Sequence, residues 1–174
     1  MKALQVTITG VSPLLMHKFQ GEQPEGLKNM SPEQKAEFAA YRDTKTKELY
    51  IPVANLTRAL ISGAGYSKGK GRSSLQKEVA AAVFVSPAKL GLGTKTYEID
   101  SRAVVIPATG GRILTHRPRI DDWKVKATVE YDETLLKESD IIKILADTGA
   151  RVGLMDFRPE KKGPYGRFEV SLNK

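Results

Sequence analysis

Trp123-Lys124-Val125-Lys126-Ala127-Thr128-Val129-Glu130-Tyr131 sets Trp123, Val125, Ala127, Val129 and Tyr131 on one face and Lys124, Lys126 and Thr128 on the other. A period of two belongs to a strand with one face buried. Downstream, Ile141, Ile144, Leu145 and Val152 recur at helical spacing, which predicts a helix from about Asp140 to Val152 with Ser139 as its N-cap and Gly153 as its stop. Alternation returns from Arg167 to Leu172, where Phe168, Val170 and Leu172 are the residues to bury. The second half of the chain therefore reads strand, helix, strand.

The first half repeats that order. Leu4, Val6 and Ile8 alternate with Gln5, Thr7 and Thr9 between Ala3 and Val11, a first strand that Ser12-Pro13 ends. Gln20 to Asn29 reads as a loop, and Ser31-Pro32-Glu33-Gln34 as a helix start, with Ser31 at the N-cap and Gln34 closing a capping box. That helix, ending near Tyr41, is charged on most sides and belongs to an insertion. Leu49 to Pro52 is extended, and Val53, Leu56, Ala59 and Leu60 form the first core helix, with Arg58 on its polar side. Leu75 to Ala82 is a short helix and Val83 to Val85 a strand. Lys95 to Asp100 and Arg102 to Pro107 run into the Thr109-Gly110-Gly111 turn and return along Arg112 to Arg119, a hairpin with a basic return arm. On that arm Arg112, Leu114 and His116 share one side and Ile113, Thr115 and Arg117 the other.

Set aside insertions at about residues 18–48, 63–74 and 86–120, and the order is strand, helix, strands, strand, helix, strand. This is the split βαβ arrangement of ferredoxin-like and RRM-like folds, an α+β class with two core helices on one face of an antiparallel sheet. One domain over residues 1–174 is expected, with 40% apolar and 28% charged residues as in ordinary globular proteins. Zero cysteines exclude disulfides and thiolate metal sites. Neither a signal peptide nor an apolar run of membrane length is legible, so the expected address is cytoplasmic, with no membrane partner.

The formal net charge is +8, and its placement says more than its sum. Gly63 to Ser74 carries Lys68, Lys70 and Arg72 with no acid, and Arg102 to Arg119 carries Arg102, Arg112, Arg117 and Arg119 with no acid. The tail between helix and last strand adds Arg158, Lys161, Lys162 and Arg167 beside Gly153, Gly163 and Gly166. Glycines at positive φ would let backbone N–H groups approach an anion, and the cations supply charge next to them. A phosphate backbone is the anion such segments fit, because each neutralised phosphate releases counterions. A solvated basic turn is the plainer alternative.

Three segments resemble the RAMP superfamily, in particular the backbone subunit of CRISPR effector complexes, the Cas-seven-type protein. They are the first strand running into Gly10-Val11-Ser12-Pro13-Leu14-Leu15, the stretch Leu49-Tyr50-Ile51-Pro52-Val53-Ala54-Asn55-Leu56-Thr57-Arg58-Ala59-Leu60, and the loop ending Gly163-Pro164-Tyr165-Gly166-Arg167-Phe168-Glu169-Val170. The resemblance implies an RRM-like core and self-association into a filament or ring along a single strand of RNA or DNA, with other effector subunits as further partners. It places the grip on Arg58, on the Lys68 to Arg72 loop and on Arg158 to Arg167. The chain is shorter than many backbone subunits and has Val53-Ala54-Asn55 where Gly-Ser-Ser is common.

Combined, the expected nucleic-acid-binding residues are His17, Lys18, Arg58, Lys68, Lys70, Arg72, Arg112, His116, Arg117, Arg119, Arg158, Lys161, Lys162, Tyr165 and Arg167. No catalytic residue, metal or cofactor is expected: no Ser/His/Asp, HExxH or Walker pattern is present. Some RAMP members cleave RNA with an aspartate in the loop before the Ile-Pro segment; Asp43 lies in that general region, and Phe38 or Glu37 falls closer to the matching place. Two other functions remain open: coating viral single-stranded DNA in replication or recombination, and a structural or adaptor role anchored by Trp123 and Tyr165.

Overall fold

The computed structural model describes residues 1–19, 21 and 24–173, so Gln20, Glu22 and Gln23 of the expected loop lie outside the described residues. In chain order the elements are β1 (Lys2–Gly10), β2 (Leu14–Leu15), α1 (Pro32–Phe38), β3 (Tyr50–Pro52), α2 (Val53–Gly63), α3 (Gln76–Ala82), β4 (Val83–Ser86), β5 (Lys89–Gly91), β6 (Glu98–Val105), β7 (Arg112–Ile120), β8 (Lys124–Tyr131), α4 (Glu138–Asp147) and β9 (Phe168–Leu172).

A four-stranded sheet in the order β4-β8-β1-β9 forms the centre, every pair antiparallel. Linked as β1-α2-β4-β8-α4-β9, it has the split βαβ topology. Register puts Val6 opposite Ala127 and Ile8 opposite Val125, so the apolar alternations of β1 and β8 fall on the same face. There they meet Leu56, Ala59 and Leu60 of α2 and Ile141, Ile144 and Leu145 of α4 in one buried cluster. Each buried Val, Leu or Ile among them contributes about 1.5–3 kcal/mol. Trp123 closes one end of the core: its indole Nε1–H donates to the Ser12 carbonyl at 2.8 Å, and it lies where any side chain at position 10 would stand, which is why Gly10 has none.

Insertions distant in sequence form one lobe. A second antiparallel sheet, β2-β7-β6, joins the segment after β1 to the hairpin, and α1 packs against β7 and β6. The capping box forms as expected, with Gln34 N–H donating to Ser31 Oγ at 3.2 Å and Ser31 N–H to Gln34 Oε1 at 2.9 Å. A two-stranded ribbon, β3-β5, leads into α2.

Some boundaries differ from expectation. The second core helix starts at Glu138 rather than after a Ser139 cap, because Asp140 accepts the Lys137 N–H at 3.0 Å from inside the first turn. Its last turn widens to a π-helix over Thr148–Val152, ended as expected by Gly153 at φ 75°. The outgoing strand of the hairpin begins at Glu98 rather than Lys95. Leu172 is 45% exposed instead of buried: it lies on an edge strand and lines an open groove between β9 and α4. Among the described residues, no helix is long and apolar enough to cross a membrane.

Candidate nucleic-acid interface

The tail segment from Gly153 to Gly166 folds back on itself and on β2. Gly153 N–H donates to Thr148 O (2.8 Å), Gly163 N–H to Arg158 O (3.0 Å), Tyr165 N–H to Phe157 O (3.1 Å) and Gly166 N–H to Pro13 O (2.8 Å). The glycines are there for close backbone packing: a Cβ on Gly163 would collide with the Phe157 carbonyl, and one on Gly166 with the Leu154 carbonyl. The expectation that their N–H groups face an anion is thus corrected. All three are consumed within the fold, and side chains must supply any grip.

Cationic side chains gather along α2. A cleft of about 400 Å³ is lined by Ala54, Asn55, Arg58, Ser62, Arg158 and Lys161, among others. Arg58 and Lys161 are exposed, and neither forms an ion pair with a described residue. Arg158 is already engaged: Nη2 contacts Glu160 Oε2 at 2.6 Å and Nη1 donates to Met155 O at 2.8 Å. Burial pushes the Glu160 carboxyl up, but hydrogen bonds from Ser62 and Arg158 outweigh that and hold it below its ordinary value. Lys162, exposed at φ 61°, follows on the same turn, and Arg167 is tied to the Ala150 carbonyl. His17 flanks an adjoining cleft that shares Asn55, Met155 and Arg158, whereas Lys18 lines a different one beside α1.

The loop beyond the C-terminus of α2 closes through a Lys68↔Ser74 bridge, with Gly69 N–H donating to Ser73 O at 2.9 Å. Lys68, Lys70 and Arg72 all point into solvent without an acidic partner among the described residues. Arg58 thus stands on α2 itself, and a second group of cations lies on the loop that follows the helix.

The hairpin arm behaves differently. Arg117 is 5% exposed, with Nη1 on Asp156 Oδ2 and Nη2 3.7 Å from Asp100 Oδ2. Arg102 pairs with Asp100 at 2.6 Å, and Arg119 pairs with Asp121 at 2.6 Å and Glu98 at 3.2 Å. His116 shares a hydrogen with Ser101 Oγ at 2.7 Å. Of the arm's arginines, Arg112, at the tip, is exposed with no ion pair to a described residue. Tyr165 is not a free stacking platform: its hydroxyl accepts from Arg102 Nη2 at 2.5 Å, the Arg102 guanidinium lies 5.0 Å from its ring centre, and Phe157 sits beside it. The structure thus brings together His17, Arg58, Arg158, Lys161 and Lys162, leaves Lys68, Lys70 and Arg72 as a second group, buries Arg117 in an ion pair, and ties Arg119, Tyr165 and the exposed Arg167 to partners on the protein itself.

Sequence reasoning missed Asn55, Tyr41 and Asp156, which wall the clefts. Asp156 carried one signal, being the only acid between Gly149 and Pro159. Burial pushes its carboxyl up, but the His17 hydrogen bond and the Arg117 charge prevail and hold it at about 2. Neither a protein-family model nor a curated protein matches the chain.

Proposed function

We propose that this protein is a non-catalytic single-stranded nucleic-acid-binding protein that self-associates along the strand, in the manner of the RAMP-type backbone subunits it resembles. One observation carries the proposal: Arg58 from α2 and Lys161 from the tail, about a hundred residues apart in sequence, line one cleft beside Glu160 with neither held in an ion pair among the described residues, and the loop carrying Lys68, Lys70 and Arg72 follows the same helix. Exposed cations beside an open cleft suit phosphates, which need neutralisation rather than base-specific contacts.

Two alternatives lose support. The acids nearest the RAMP cleavage position are engaged: Asp43 Oδ2 takes Lys89 at 2.6 Å while Oδ1 caps the turn at Lys45 and Thr46, so its carboxyl sits well below the usual range, and Glu37 holds Arg42 and Tyr97. An adaptor anchored by Trp123 and Tyr165 would need those rings at the surface, and Trp123 is 4% exposed. The test is the 260/280 nm absorbance ratio of protein purified at low salt, before and after nuclease, followed by titration of labelled RNA and DNA strands. Retained, nuclease-sensitive nucleic acid and a preference for one sugar support the proposal; a clean protein that binds neither strand overturns it.

A further inference from the structure

Tyr165 is closed to stacking, but the end of α2 presents a ring that is not. Tyr66 ends the single turn Ala64–Tyr66 that continues α2, and it is 51% exposed. The Arg151 guanidinium lies 4.9 Å from its ring centre, and among the described residues no second ring packs on it. Arg151 is itself held, with Nε 3.2 Å from Asp147 Oδ1. Lys143 pairs with the other oxygen of the same carboxylate and reaches the Tyr66 carbonyl at 3.4 Å. One mostly covered acid thus fixes two cations beside the ring, and both cations stay more than half exposed.

The ring stands in line with the phosphate cleft. Arg58 and Ser62 line that cleft, and Tyr66 follows at the same interval of four, a spacing that keeps all three on one side of a helix. From Arg58 to Tyr66 is roughly 12 Å at the rise of a helical residue. Opposite them runs the chain leaving α4, which packs so closely on α2 that a Cβ on Gly63 would strike the Thr148 side chain. That chain sets Arg151 against Tyr66 and, beyond Gly153, brings Arg158 and Lys161 into the cleft. The same two walls therefore meet at both places.

Resting on the strand-binding reading above, we infer that Tyr66, backed by Arg151, is a stacking platform for one base of the bound strand. An aromatic ring has two faces, and a guanidinium on one leaves the other to a base. Stacking needs only a flat π-face, which every base has, so the platform adds affinity without reading sequence. Lys68, Lys70 and Arg72, exposed in the loop that follows, stand ready for the phosphates flanking the stacked base. Cations that track the backbone and a ring that takes a base are the two parts of sequence-indifferent single-strand binding. An exposed tyrosine also serves protein interfaces, but interface cores are depleted of charge. Here Arg151 covers the ring, Lys143 holds its backbone, and three more cations follow it in the chain.

The experiment titrates labelled uridine and thymidine 12-mers, and 12-mers of the same sugars and charge that lack bases along their whole length. Wild-type protein should bind the base-bearing strand about tenfold more tightly. In Tyr66→Ala that ratio should fall to about one, while affinity for the baseless strand and the salt slope stay as in wild type, which separates stacking from phosphate contact. Tyr66→Trp should restore the ratio, and its added indole emission should be quenched by base-bearing strands alone, since Trp123 is buried. Melting temperature confirms the fold of both variants. Equal wild-type affinity for strands with and without bases overturns the platform and leaves strand binding in place. A ratio that survives in folded Tyr66→Ala, or unquenched Tyr66→Trp emission at saturation, does the same. Failure to bind either kind of strand overturns the strand reading and the platform together.

Discussion

Two stretches of this chain look alike on paper: Gly63 to Ser74 and Arg102 to Arg119 each carry several cations and no acid. In the fold they diverge. Lys68, Lys70 and Arg72 stay exposed, with no acid paired to them among the described residues, whereas Arg102, Arg117 and Arg119 are neutralised by Asp100, Asp156, Asp121 and Glu98, acids from just outside the stretch or from the distant tail. A local surplus of charge becomes a binding surface only where the fold brings no counter-charge to it. In the hairpin the arginines hold a lobe onto the core; in the loop they remain available to a ligand.

Removing Arg117 should break that comparison most visibly. Arg117→Ala leaves Asp100 and Asp156 facing each other without their shared cation, and loss of one partner from a buried ion pair costs about 3–5 kcal/mol. We expect a fall in melting temperature of roughly 6–20 °C for a domain of this size, measured by thermal unfolding; a variant as stable as wild type would return the hairpin arginines to the list of candidate ligand contacts. Gly166→Val tests the tail in the same assay. Its φ of 71° and the collision of any Cβ with the Leu154 carbonyl predict a loss on the order of 3 kcal/mol.

The loop should answer in the opposite way. Replacing Lys68, Lys70 and Arg72 together with alanine should leave the melting temperature unchanged and lower the salt slope of single-strand binding by about 2, near 0.7 for each lost phosphate contact. Unfolding of that variant, or an unaltered slope, would erase the distinction between the two stretches.

Much of the fold was legible because its signals are local or periodic. Ser31 and Gln34 stand three residues apart and cap α1 as expected, and the alternation of β8 fixes both its face and its register against β1. The site was less legible because its contacts are remote: Arg117 meets Asp156 across 39 positions and Arg102 meets Tyr165 across 63. The glycines of the tail were misread for the same reason. A sequence shows that a Cβ is missing at Gly163 and Gly166, but not that the backbone of Phe157 and Leu154 fills the space.

Smaller effects sharpen the picture. Asp156 sits at about 2 when folded, below its ordinary 3.8, so the stability it contributes is present above about pH 4 and lost as pH falls through about 2. The stability gap between wild type and Asp156→Asn should therefore hold at neutral pH and close within that window in pH-dependent unfolding; a constant gap would detach Asp156 from the charge network. Arg119→Ala, removing an exposed pair, should cost less than about 1 kcal/mol and leave strand affinity unchanged, since Arg119 already belongs to Asp121 and Glu98.

The most direct test of the cleft is the salt dependence of single-strand binding by wild type and by the Arg58→Ala, Lys161→Ala double variant, both with intact melting transitions. The cleft reading predicts that log Kobs falls linearly with log salt for wild type, and that the double variant loses about 1.4 from the slope together with affinity at low salt. A double variant with wild-type slope and affinity would contradict it.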